Sequence, residues 1–447
     1  MSSPRGSRGV AGAATLVLMA VVVAVALMVG AAVANRTGDD DVRQVNLGRE
    51  RAALDSAATA TQRSLLDFWD REFPAVYDGS FEQLRGGFQA KTPQSPPFTC
   101  AGRRQTYDDL KGNAFYCGGP DDDYIAYDAA QLFPQLNNEF GGIAPAVVLA
   151  HEMGHAIQRR AEVDAPSVVT ELQADCFAGA WLRYAEKTPD DPVDLSDGAL
   201  DTSIGTILVL RDQPGTPATN PQAHGLGFDR VNAFQTGYER GTGECAALPD
   251  GRAVTTELPF RTVTEARTGG NLPFREAVRV LSTSLDAYWT EALAQVAPGE
   301  TFDRPARRSV DRRPEASCVV ELGAGYCSGE RTVVLVMPEL LEGHQRIGDL
   351  ATGAALSDAW GLAVQSQAGW PSSGKAPGLQ RDCFTGAWIS ALAGDGLEGT
   401  SLSPGDVDEV LASIVGGSAG PQADRGGAFE RTAAMRRGLF EGVGACV

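Results

Sequence analysis

At 447 residues the chain is too long for one ordinary domain, so two folded units joined by connecting segments are expected. Hydrophobic residues at 43% and charged residues at 21% are the proportions of a globular protein and exclude a disordered or collagen-like chain. A net charge of −19 without a basic cluster excludes a phosphate-backbone partner, and no nucleic acid is expected.

The chain opens with a short stretch, 1–9, that carries Arg5 and Arg8, followed by 10–34, which holds no charge and is long enough to cross a bilayer core. The two arginines before the span and the single Arg36 after it place the N-terminus in the cytoplasm and the rest outside. Ala32, Val33 and Ala34 form a small-residue cleavage pattern, but the apolar run exceeds a signal h-region, so a retained single-pass anchor is preferred. Cleavage there would make the protein secreted. Eight cysteines, none in a C-x-x-C pair, suit an exported chain and read as disulfides.

Next come SLLDFW from Ser64 and then Cys100 and Cys117, whose short separation makes them a local bridge. The segment from Ile143 to Ala161 reads as a buried helix containing HEMGH. Residues four apart share a helix face, so His151 and His155 can offer two imidazoles to one metal ion, with Glu152 beside them as general base. A second helix, around 167–184, carries Glu171 and Asp175 on one face. One of the two is expected as third ligand and the other as hydrogen-bond partner of a ligating histidine, an arrangement that spacing alone leaves open. HGLGFDR from His224 and Cys245 follow, with Cys245 left to pair with Cys176.

After a Pro, Gly and Thr-containing stretch, the order of motifs recurs. ELQADCFAGAW (171–181) returns as GLQRDCFTGAW (378–388), HEMGHAIQ as DAWGLAVQ, SLLDFW as SLDAYW, and FDRVNAF as FERTAAM. The second set of cysteines is Cys318, Cys327, Cys383 and Cys446, with the same pairing expected: Cys318 to Cys327 and Cys383 to Cys446. Where the first copy has His151, Glu152, His155 and Glu171, the second has Asp358, Ala359, Leu362 and Gly378. Matching PQA at 221–223 to PQA at 421–423 sets Asp424 opposite His224. The expected domains are 55–250, a linker at 251–274, and a metal-free copy at 275–447.

HEMGH followed by ELQADCFAGAW resembles the bacterial putative neutral zinc metallopeptidases over most of the region from Ser64 to Cys245. That resemblance implies a zincin-like α+β fold, duplicated in tandem here. It also implies Zn2+ on His151, His155 and Glu171, catalysis by Glu152, and Asp175 beside the ligands. His224 falls where that family has a His-Gly pair, which implies a part in stabilising the oxyanion. Ala156 departs from relatives that carry another histidine there.

The expected function is therefore a membrane-anchored, extracytoplasmic zinc metalloendopeptidase acting on peptide or protein substrates, with its degenerate half free to bind a protein partner. The alternatives are a non-catalytic envelope scaffold with a structural zinc and a zinc-dependent amidase of the cell envelope.

Overall fold

The computed structural model describes residues 40–447 apart from 120, 197, 221, 254, 257, 315–321, 395 and 418–422. The expected cytoplasmic stretch 1–9, the anchor at 10–34 and Cys318 lie outside the described residues. Among those described, no helix is long and apolar enough to cross a membrane.

The first half runs α1 (Asp40–Val76), β1 (Gly87–Lys91), β2 (Phe98–Cys100), β3 (Arg103–Gln105), α2 (Tyr107–Leu110), β4 (Ala114–Gly118) and β5 (Asp123–Asp128). It continues with α3 (Leu132–Phe140), α4 (Ala144–Arg160), α5 (Ser167–Lys187), α6 (Ala199–Val209), α7 (Gly227–Arg240) and α8 (Thr242–Ala246). The second half follows as α9 (Val263–Thr268), α10 (Phe274–Val296), β6 (Ala306–Val310), β7 (Ala324–Cys327), β8 (Thr332–Val336) and α11 (Met337–Arg346). It closes with α12 (Asp349–Gln367), α13 (Lys375–Ala393), α14 (Asp406–Gly417) and α15 (Ala428–Glu441). The architecture is mixed α+β and rich in helix.

Each half has a three-stranded sheet of the same plan. β5 lies between parallel β1 and antiparallel β4, and β8 lies between parallel β6 and antiparallel β7. Glycines let the helices behind the sheets approach closely. A Cβ on Gly154 would sit 2.7 Å from Ala174 Cα, so α4 and α5 cross with almost no side chain between them. At Gly179 a Cβ would overlap the Phe234 carbonyl oxygen, and at Gly237 that of Cys176, which sets α5 flush against α7. Gly386 and Gly438 do the same between α13 and α15. Any larger residue at these places must separate the helices and forfeit the packing.

Other contacts recur across the halves. Trp181 Nε1 donates to Ser64 Oγ and Trp388 Nε1 to Ser284 Oγ, at 3.0 and 3.2 Å. Trp69 meets Phe177 edge-on at 4.9 Å between centroids, as Trp289 meets Phe384. Disulfides join Cys100 to Cys117, Cys176 to Cys245 and Cys383 to Cys446.

The halves share one continuous apolar core and exchange helix caps. Gly227 and Phe228, at the start of α7, donate their amides to Asp408 of α14 at 2.8 and 2.7 Å. Phe429, at the start of α15, donates to Asp201 of α6 at 2.8 Å. A carboxylate at a helix N-terminus satisfies otherwise unbonded amides and opposes the helix dipole. Each half therefore stabilises the helix that closes the other's α5-type or α13-type helix.

Candidate metal centre

α4 is buried along most of its length, turns polar at its C-terminal end, and has Pro145 in its first turn, where a missing amide costs nothing. The crossing at Gly154 brings its histidines against α5. His151 Nε2 lies 3.3 Å from Glu171 Oε2, His155 Nε2 lies 3.3 Å from Glu171 Oε1, and the two Nε2 atoms are 3.2 Å apart. Candidate donor atoms of His151, His155 and Glu171 all lie within 4.8 Å of one another.

Their other partners fix the imidazole tautomers. His151 Nδ1 faces Asp175 Oδ1 at 2.8 Å, and His155 Nδ1 faces Gln158 Oε1 at 2.9 Å. Both partners are acceptors, so both Nδ1 atoms carry the hydrogen and both Nε2 lone pairs point at Glu171. Gln158 is itself oriented, because its amide nitrogen donates to Thr170 O at 2.5 Å. Glu171 is fully buried, and neither of its oxygens has a hydrogen-bond partner. Two nitrogen lone pairs and a buried carboxylate facing one point repel unless a cation sits among them, and this donor set is that of zinc.

The electrostatics agree with that demand. Burial lowers the His151 pKa, but Asp175 and then Glu171 override it and hold the imidazole up at about 10, so with no cation among the donors a proton on Nε2 takes its place. Burial raises Glu171, yet His155 and His151 hold it well below the usual carboxylate range. Burial raises Asp175 too, and Arg230 followed by His151 pulls it down. Arg230 is buried and grips Asp175 with two bonds, Nε to Oδ2 at 2.7 Å and Nη2 to Oδ1 at 2.9 Å, while Nη1 reaches Leu210 O at 2.5 Å. Glu152, also buried and raised in pKa by that burial, accepts the Tyr116 amide of edge strand β4 on Oε2 at 2.8 Å. Oε1 is left for other work.

His224 does not join this cluster by any hydrogen bond. Its amide donates to Asp212 Oδ2 at 2.6 Å, its Nδ1 lies 3.2 Å from Asp212 Oδ1, and its Nε2 is buried without a partner. The backbone pattern places Arg425, rather than Asp424, opposite it. Gly225 (φ 98°) approaches Leu172 as Gly426 (φ 99°) approaches Leu379, so each glycine's predecessor occupies the same place. The PQA match is one residue out of step with that geometry.

Arg230, Gln158 and the Tyr116 amide went unrecognised in the sequence reading. Two of them leave a trace there. Gln158 recurs as Gln365, which donates to Pro377 O, and Arg230 recurs as Arg431, which grips Asp382 at 2.9 and 3.1 Å.

His155 opens on a cavity of about 540 Å³ lined also by Gln158, Arg159, Glu162, Val163 and Thr170. A larger groove of about 660 Å³ runs between α7 and α15 and includes none of the converging donors.

Residues 2–248 match the family described as "Putative neutral zinc metallopeptidase". The chain belongs to that family. An uncharacterised protein of Mycobacterium tuberculosis (strain ATCC 25618 / H37Rv) is 32% identical over 151 residues, a match covering 28% of this chain and 52% of that protein. The uncharacterised protein YpfJ of Escherichia coli K12 is 28% identical over 148 residues, with 28% and 50% covered. The chain thus spans about half the length of the curated relatives it matches. No solved structure matches it.

Proposed function

We propose that the first half is a zinc metalloendopeptidase, anchored by 10–34 with its folded part outside the membrane, and that the second half is a degenerate copy that holds no zinc. The observation that carries the reading is Glu171: a buried carboxylate with no hydrogen-bond partner on either oxygen, each of which faces an imidazole Nε2 at 3.3 Å.

His151, His155 and Glu171 would hold the metal. When bound, zinc supplies Lewis-acid polarisation and lowers the pKa of a coordinated water toward about 7. Asp175, braced by Arg230, keeps the His151 ring oriented and its Nε2 free. Glu152 is steered by the Tyr116 amide, so its Oε1 takes the proton of the attacking water and returns it to the leaving amine. β4 is an edge strand, and an extended peptide can lie along it beside Glu152. His224, whose Nδ1–H is held by Asp212, would offer Nε2 as a donor to a developing oxyanion in its doubly protonated form.

The shared sheet plan, the paired glycines and the two equivalent disulfides support descent of the halves from one unit. In the second half, the place of the metal is filled. Arg381 Nε and Arg425 Nη2 both donate to Asp358 Oδ1, at 2.8 and 2.6 Å, and the Arg425 side chain lies over Gly378.

The test is cleavage of casein by the full chain, with bound zinc measured beside Glu152→Gln. The Gln variant should keep zinc and lose cleavage. A wild type that holds zinc yet cleaves nothing that the Gln variant spares would instead favour the scaffold reading.

A further inference from the structure

A second set of converging carboxylates lies in the other half of the molecule. Asp349 opens α12, and Asp406 and Glu409 lie in the first turn of α14. Oxygens of the three lie within 4.8 Å of one another, and the residues are 2%, 2% and 9% exposed. Backbone amides reach all three acids: Leu272 N on Asp349 Oδ2 at 2.8 Å, Ser403 N on Asp406 Oδ2 at 2.7 Å, and Leu350 N on Glu409 Oε2 at 2.8 Å. These bonds aim the remaining oxygens inward, and there Asp349 Oδ1 and Asp406 Oδ1 are buried with no partner.

A lone carboxylate oxygen stripped of water costs several kcal/mol, roughly, and two facing each other cost more. Arg261 lies beside the cluster but gives its guanidinium to Ser401 Oγ and Leu402 O. Burial, with mutual repulsion added for Asp406 and Glu409, raises all three carboxyls, Glu409 to about 9. Acids so placed hold protons unless a cation displaces them.

The fold itself does not require these residues. Counting from the aligned ELQADC and GLQRDC helices, the corresponding positions of the first half are Gly142, Ala199 and Thr202. The packing agrees: Gly348 lies against the Glu409 side chain as Gly141 lies against Thr202. The same scaffold therefore closes without acids, and in the second half three are brought to one point. A Cβ at Gly348 would overlap the Glu409 carboxylate, so the glycine also seats that side chain. Asp349 and Asp406 line a cavity of about 260 Å³ shared with Leu272, Ser401 and Ser403, which leaves room for an ion and its waters.

We propose that Asp349, Asp406 and Glu409 form a site for a hard divalent cation of the calcium class, distinct from the His151–His155–Glu171 centre. An all-oxygen, anionic donor set selects such ions over zinc. The ion would tie the 271–272 segment to the starts of α12 and α14. α14 also carries Asp408, the cap of α7 in the other half, so the ion would brace the contact between halves.

The experiment is equilibrium dialysis of the metal-stripped full chain against calcium, with thermal melting in parallel and magnesium and manganese as comparison ions. One calcium per chain and a higher Tm are expected, with at least tenfold weaker binding in Asp406→Asn. His155→Ala should keep the calcium response, which separates this site from the zinc reading. Should Asp406→Asn fail to fold, Glu409→Gln serves in its place, and wild-type stoichiometry is decisive alone. No binding of any of the three ions at millimolar concentration, with stability that instead rises on acidification, would overturn the proposal and show carboxyls that share protons.

Discussion

The two halves solve one electrostatic problem in opposite ways. Behind equivalent sheets, α4 and α5 converge as α12 and α13 do, and a buried aspartate is clamped by an arginine from the following helix: Asp175 by Arg230, and Asp382 by Arg431. In front of that pair the first half sets two imidazoles and the unpartnered Glu171. The second sets Asp358 and fills the space with Arg381 and Arg425. A cavity built around buried carboxylate calls for a cation. On the proposed reading one half leaves it to be supplied from outside, whereas the other brings guanidinium groups of its own. The arginine–aspartate clamp, present in both, belongs to the scaffold as much as to the chemistry.

The largest break in that comparison is at Glu152. Glu152→Gln should reduce peptide hydrolysis by about 10²–10⁴-fold with zinc retained, whereas a change at its counterpart Ala359 should leave the reaction untouched. Removing Arg230 comes next. Arg230→Met strands the buried Asp175 and should cost about 3–5 kcal/mol in stability, measured by urea unfolding. The milder Asp175→Asn should fold and weaken zinc affinity by about 10–100-fold, read by chelator competition.

The exchanged caps give a smaller and more selective effect. Asp408→Ala and Asp201→Ala should each cost about 1 kcal/mol, but only Asp408 caps the helix that carries Arg230, so only its loss should also lower activity. Equal activity in the two variants would show that the second half does not support the metal centre. The effect confined to the narrowest range of conditions is on acid stability. Burial would raise the Asp358 carboxyl, but Arg381 and then Arg425 hold it at about 2. Its contribution is present above the ordinary aspartate pKa of about 3.9 and is lost as pH falls toward 2. Asp358→Asn should flatten the unfolding profile in that window.

The helical face of HEMGH was legible in the sequence because its period of four is local, and the repeats ELQADCFAGAW and GLQRDCFTGAW marked which residues the scaffold keeps. The supporting partners were not legible, because their contacts are set by tertiary crossing. Arg230 meets Asp175 across 55 residues, and Asp408 meets Gly227 across 181. The repeat did hold a clue to the first: Arg230 and Arg431 stand at equal places beside residues whose chemistry differs. It misled at His224, where the matching PQA triplets hide a one-residue insertion that the left-handed glycines Gly225 and Gly426 expose. The acids at 349, 406 and 409 are spread over two helices and show no motif.

The most direct test of the account is zinc stoichiometry in the full-length chain at neutral pH, measured for the wild type and for His151→Ala with His155→Ala. One zinc per chain, falling to none in the double variant, is the predicted result. Two zinc ions per chain, or one that survives the loss of both histidines, would contradict the assignment of the metal to the first half alone.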